Sequence, residues 1–140
     1  MFFNKKKIIG RLEYVDIPTL NLSKISAKID TGAYRGSIHA TNIQEVEKDG
    51  KKILTFNLFD ESYPDYGGQK FEFKDYKIHQ FRGTKVCYHN RYVIPVEMII
   101  AGKKIQAELS LTDRKDLRHP ILIGRRALKK NFLIDVNKKY

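Results

Sequence analysis

A mainly β fold with one short helix near the C-terminus is what this sequence predicts, and three observations predict it. Apolar and polar residues alternate with period two in ILTFNLF (Ile53 to Phe59) and KFEFKDYKI (Lys70 to Ile78), the repeat of a strand with one buried face. Turn signals break the alternation, above all Asp49-Gly50, a strong two-residue hairpin signal. One helical candidate stands out, GRRALKKN (Gly124 to Asn131), with room for two short turns. The 140 residues, 41% of them hydrophobic, suffice for one domain, 1–140, with a core of its own.

Each element has its reason. SAKID (Ser26 to Asp30) reads as a strand that ends in a sharp turn presenting Asp30. SIHATNIQEVEK and KKILTF are the two arms of the Asp49-Gly50 hairpin. FDESYPDYGGQ (Phe59 to Gln69) gathers Pro64, Gly67 and Gly68 among polar residues and is a loop. Lys70 to Ile78 follows as a strand. YVIPVEMIIAGKKIQAELSL (Tyr92 to Leu111) is two strands joined at Ala101-Gly102-Lys103, and FLIDV (Phe132 to Val136) is a last strand after the helix.

Charge narrows the partners. The chain carries 27 Lys and Arg against 16 Asp and Glu, a net charge of +11, spread in short clusters rather than one tail. Such a field attracts nucleic acid, anionic membrane surfaces or acidic peptides. It is equally the charge of a solvated lysine-rich surface. With Cys87 as the single cysteine, no disulfide framework or thiolate zinc cluster forms within one chain. No run approaches the roughly 18 apolar residues of a membrane span. The start, MFFNKKKIIG, lacks the pattern of a signal peptide. A cytoplasmic protein with no membrane contact is expected.

The chemistry centres on Asp30-Thr31-Gly32-Ala33. Asp30 can hold a water or share a proton with a second carboxylate, Thr31 has a hydroxyl to tie the turn to a neighbouring backbone, and Gly32 permits a close backbone approach. Alone, the tripeptide is a weak signal, better explained by a plain turn, which favours Asp and Gly anyway. A second segment, HPILIGRRAL (His119 to Leu128), changes the balance. Asp-Thr-Gly-Ala early and apolar-apolar-Gly-Arg late, in an all-β chain, resembles the retropepsin-type aspartic peptidases. GRLEYVDIPTLNLSKISAKIDTGAYRGSIHA, AELSLTDR and ILIGRRALKKNFLIDV are similar to one bacterial family in particular. That family carries the label of an ATP-dependent zinc protease and includes proteins associated with a glutamate ligase that modifies a ribosomal protein.

The resemblance implies a retropepsin-like closed β-barrel, the acid protease fold. It implies that Asp30 is catalytic and that Thr31, Gly32, Ala33, Ile123, Gly124 and Arg125 frame it, the Ile-Gly segment crossing behind the turn as a brace. The family usually has Arg directly after Asp-Thr-Gly-Ala; here Tyr34 stands there and Arg35 follows. The zinc and ATP of the label find no support in the residues. His39, His79, His89 and His119 lie far apart without the spacing of a zinc peptidase, and no phosphate-binding Gly-x-x-x-x-Gly-Lys-Ser/Thr loop occurs. No metal and no cofactor are expected.

An aspartic peptidase needs two carboxylates sharing a proton, yet the chain has a single Asp-Thr-Gly. The remaining aspartates, such as Asp16, Asp113 and Asp135, suit turns or edges. The expectation is a homodimer in which Asp30 meets its symmetry mate. Ala33, where Ser or Thr would offer the dyad a hydroxyl, suits work nearer neutral pH. By the same resemblance a hairpin covers the substrate, here FRGTKVCYHNRYV (Phe81 to Val93) with a tip near His89-Asn90, although an ordinary surface hairpin would look the same.

Arg35, Arg82, Lys85 and Arg91 are the candidate substrate-binding residues, matched by charge to acidic peptides. The family's link to a glutamate ligase implies oligoglutamate-modified substrates. The alternative is a non-catalytic basic β-barrel, binding peptide or serving as a scaffold. Nucleic acid, stacked on Phe56, Phe59, Tyr66, Phe71, Phe73 and Tyr76, is possible in that reading but not favoured, because alternate aromatics on strands usually face a core.

Overall fold

The structure, a computed structural model, describes residues 5–60, 67–82, 88–113 and 118–140. Eleven strands, one short 3₁₀ helix (Pro18–Leu20, between β2 and β3) and one α-helix follow in chain order among these residues: β1 (Lys7–Ile9), β2 (Leu12–Ile17), β3 (Leu22–Asp30), β4 (Gly36–Lys48), β5 (Lys51–Leu58), β6 (Lys70–Phe73), β7 (Lys77–Arg82), β8 (Tyr88–Ile100), β9 (Lys103–Thr112), β10 (Ile121–Gly124), α1 (Arg125–Leu128) and β11 (Phe132–Ile134). The fold is mainly β, with the barrel and the short helix that the sequence predicts.

The barrel closes through six strands. Pairing runs β10-β3-β2-β8-β9-β4, and β4 returns to pair with β10. Alternation along β3 sends Ile25, Ala27 and Ile29 inward and Lys24 and Lys28 outward. The same logic puts Val15, Ile17, Ile94, Val96, Met98, Leu109 and Ile121 in the core. Full burial of each large aliphatic chain contributes about 1.5–3 kcal/mol. Beyond the barrel, β4 continues as a long arm that pairs with β5, and β6 adds to it. β1 and β11 form a separate parallel pair.

Turn chemistry sets two of the registers. Asp49 and Gly50 both have positive φ (54° and 77°) between β4 and β5, as do Ala101 and Gly102 (49° and 78°) between β8 and β9. Positive φ at both central residues matches the right-handed strand twist of a tight hairpin.

Three predicted bounds change. Lys70 to Ile78 is not one strand: it ends at Phe73, bends, and restarts as β7 at Lys77, where the chain leaves β5 to pair with β8. The helix is shorter than Gly124 to Asn131: it ends at Leu128, because Lys129 turns extended (φ −51°, ψ 139°) and Lys130 takes a positive φ of 70°. The last strand stops at Ile134, and Asp135 turns the chain by accepting the Asn137 N–H at 2.9 Å.

The hairpin expected to cover the substrate is β7 with β8. His89 and Asn90 do not form its tip; they pair with Phe81 and Gln80 in the ladder. The connection, with Lys85, lies outside the described residues. Among the described residues, no helix is long and apolar enough to cross a membrane.

Candidate active site

β3 ends at Asp30, the chain turns through residues 31–35, and β4 leaves from Gly36. Between these two strands lies β10, parallel to β3 and antiparallel to β4. The register is Ile121 with Ala27, Ile123 with Ile29 and Gly124 with Asp30. β10 can enter this slot because Ile121 and Ile123 are fully apolar and bury completely. The crossing then continues into backbone hydrogen bonds from Arg125 N–H to Ala33 O (2.8 Å) and Arg126 N–H to Tyr34 O (3.0 Å). The turn that carries Asp30 is therefore tied along its whole length to the chain behind it.

Gly124 is demanded by this approach. A Cβ there would lie 2.6 Å from the Arg35 carbonyl carbon and 2.7 Å from the Tyr34 oxygen, both backbone atoms. Gly32 plays a smaller part than expected. A Cβ on it would meet Asp30 Oδ1 at 3.2 Å and no other chain segment, so its smallness serves the carboxylate. That carboxylate accepts the Gly32 N–H at 3.0 Å. Thr31 acts through its carbonyl, which accepts a hydrogen bond from the Arg125 guanidinium at 3.3 Å. Arg125 and Arg35 both lie over the Tyr34 ring, at 5.7 and 5.6 Å from its centre, a cation–π geometry.

Asp30, Thr31, Gly32, Ala33, Arg35, Ile123, Gly124 and Arg125 are thus brought together at one end of the barrel. Arg82 closes β7 and Arg91 is exposed on β8 opposite His79, both on the β7–β8 hairpin rather than at the turn.

Two clusters were not singled out from the sequence. Glu108 on β9 meets three cations: Arg126, which hydrogen-bonds it, Lys77 at 3.1 Å and Arg35 at 3.8 Å. Its side chain is only 13% exposed, and burial pushes its pKa up. The Lys77 hydrogen bond and the nearby Arg126, Lys77 and Arg35 charges outweigh burial and hold the carboxyl below the ordinary glutamate value. The signal in the sequence is slight: one acid in the middle of a strand of a very basic chain.

The second cluster is His39, fully buried on β4, with Nε2 2.5 Å from Asp60 Oδ2 and Nδ1 3.6 Å from Asp113 Oδ1. Among the described residues, no group of three His, Cys, Asp or Glu side chains is arranged to hold a metal ion. His119 Nδ1 lies 3.3 Å from Ser26 Oγ. Of the aromatics considered as a stacking platform, Phe56 and Phe59 are fully buried and Phe71, Phe73 and Tyr76 lean on the core, while Tyr66 lies outside the described residues.

A strand threaded between the two arms of an Asp-Thr-Gly turn, in a closed six-stranded barrel, defines the class of retropepsin-like proteins. The chain belongs to the RimB-like family, described as retropepsin-like aspartic endopeptidase RimB, whose model matches residues 8–140.

It is 30% identical over 141 residues to a Shewanella pealeana protein named "Probable alpha-L-glutamate ligase", the match covering 98% of this chain and 30% of that protein. A Parasynechococcus marenigrum protein of the same name is 28% identical over 131 residues, covering 94% of this chain and 28% of its own length. The chain therefore spans less than a third of these curated relatives. A crystal structure of a Legionella pneumophila protein of unknown function is similar with a TM-score of 0.73 at 28% identity, covering 97% of this chain and 98% of that one.

Proposed function

We propose that this chain is a homodimeric aspartic peptidase in which Asp30 of one protomer and Asp30 of its partner share a proton and hydrolyse acidic peptides. The observation that carries the reading is the braced turn. Asp30 sits half-buried at the end of β3 with its backbone locked by β10, and one of its oxygens is held by Gly32. The family supports the same chemistry.

In such a dyad two like charges at close range cannot both ionise. The charged carboxylate takes a proton from water, which adds to the scissile carbonyl carbon. The protonated one gives its proton to the carbonyl oxygen. The resulting diol collapses with a proton passing to the departing amine, so the peptide bond breaks and the shared proton is restored. The net charge of +11 and the arginines beside the turn favour acidic substrates by steering and pairing. The similarity to proteins named glutamate ligases supports glutamate-rich tails as that substrate.

The same similarity favours a second reading, a non-catalytic module that holds acidic tails for a ligase. One experiment separates the two. Purified protein is given oligoglutamate-tagged peptides from pH 4 to 8, wild type beside Asp30→Asn, with and without chelator. Release of shorter peptides, lost in the variant and indifferent to chelator, is the result expected. Binding without cleavage by wild type would leave the holding module, and loss on chelation would point to a metal enzyme.

A further inference from the structure

The Glu108 cluster has more charge than Glu108 can neutralise. Arg35, Lys77 and Arg126 all face this one carboxylate, leaving the cluster strongly positive. Arg35 Nε is buried and makes no hydrogen bond, since Glu108 Oε1 stands 3.8 Å away. A buried guanidinium N–H without an acceptor is costly, and a carboxylate beside the exposed part of the Arg35 side chain, 29% of it, would add the negative charge that Glu108 alone does not supply.

There is space for one. Arg35, Arg126, Gln106 and Glu108, with Pro95 and Ala127, line a cavity of about 250 Å³ that opens to solvent. Its walls combine apolar surface for a methylene stem with guanidinium groups for a carboxylate. Its position is tied to the candidate active site: Arg35 ends the Asp30 turn, and the Arg126 N–H bonds the Tyr34 carbonyl in that turn. Arg35 and Gly36, which both line the cavity, follow Asp30 by five and six residues at the end of its turn.

We infer that the cavity is a substrate subsite for an acidic side chain, with Arg35 and Arg126 pairing its carboxylate and Glu108 holding the two guanidinium groups in place. Lys77, at the foot of the β7–β8 hairpin, adds its charge from the side of the cover. This deepens the reading of Asp30 as catalytic and rests on it, and it names Arg35 and Arg126 as the residues that set specificity.

The test is binding of hexaglutamate and hexaglutamine, by calorimetry, to the full chain carrying Asp30→Asn so that nothing is turned over. Hexaglutamate is expected to bind at least about tenfold more tightly, since a satisfied charge pair exceeds the 1.4 kcal/mol that a factor of ten requires. Arg35→Gln and Arg126→Gln should each remove most of that preference. Gln106→Glu, an exposed change that keeps every cation, should also remove it by placing a competing carboxylate in the cavity.

Lys104→Gln, on the same strand but outside the cavity, should leave the preference within about twofold, because a screened surface charge contributes little. Equal binding of the two peptides, or a loss with Lys104→Gln as large as with Arg126→Gln, would overturn the subsite. Selective binding by Asp30→Asn alongside no cleavage by wild type would keep the subsite and remove only the peptidase reading.

Discussion

Gly124 stands opposite Asp30 in the parallel register of β10 and β3, and it has no room for even one carbon. The space that a Cβ would occupy belongs to the carbonyl of Arg35. Backbone packed against backbone holds the carboxylate, which makes its position insensitive to side-chain motion.

Gly124→Ala should therefore cost about 2–3 kcal/mol, the upper part of the range of overpacking in a close-packed interior, because the atoms it meets are backbone. Activity should fall further than stability, because the turn must move to relieve the clash. Gly50→Ala is the contrast. Its Cβ would meet nothing, but its φ of 77° is left-handed, a conformation that costs roughly 1–2 kcal/mol for a residue with a side chain. Urea unfolding of both variants, with peptidase assays at a denaturant-free temperature where each is folded, checks the ordering.

A shared dyad predicts a mixing result. Asp30→Asn is expected to fold as well as wild type, since an asparagine can still accept the Gly32 N–H. If subunits exchange freely, equal amounts of wild type and variant should leave about one quarter of the dimers with two aspartates. Activity per total protein should then fall to that fraction. A fall to one half would mean that each chain works alone.

How far the sequence reveals this arrangement depends on the range of the interaction. The β4–β5 and β8–β9 hairpins are legible because Asp49-Gly50 and Ala101-Gly102 encode their turns locally. The insertion of β10 beside Asp30 joins residues over ninety positions apart, and only the resemblance of ILIG to a family motif suggests it. Lys70 to Ile78 reads as one alternating strand, yet its apolar phase slips from Phe71 and Phe73 to Tyr76 and Ile78 across Lys74-Asp75, a faint local trace of the place where the structure exchanges partners. Glu108 and His39 are harder still. Each is an ordinary strand residue until Lys77, Arg126, Asp60 and Asp113 are brought to it from other elements.

His39 carries a prediction about stability. Its ring is fully buried with Asp60 Oδ2 at 2.5 Å, and its backbone joins two further segments, accepting from Phe59 N–H and donating to Pro120 O. His39→Ala should destabilise the fold by about 2–4 kcal/mol, the sum of a cavity and a partly buried carboxylate deprived of this hydrogen bond. Asp113→Asn should cost well under half of that, because the Asp113 side chain is 69% exposed and 3.6 Å away. Thermal and urea unfolding of the two variants measure the difference.

Glu108 links stability to pH, and the sign follows from its lowered pKa. A carboxyl that ionises more readily folded than unfolded stabilises the fold in its charged form. That contribution is complete above the unfolded value of about 4.3, and it is lost as pH falls through the lower folded value. Glu108→Gln should cost about 1–2 kcal/mol at neutral pH, a charge-assisted hydrogen bond discounted for the exposure of Lys77 and Arg126.

The gap between wild type and Glu108→Gln should hold steady from neutral pH down to the ordinary glutamate range and close below it. Raising salt should narrow it, since the cations that face Glu108 from β7, α1 and the Asp30 turn are partly screened. Urea midpoints for the two proteins between pH 3 and 8 measure this gap directly. A gap that widens toward acid would mean that burial, and not Lys77, Arg126 and Arg35, governs the carboxyl.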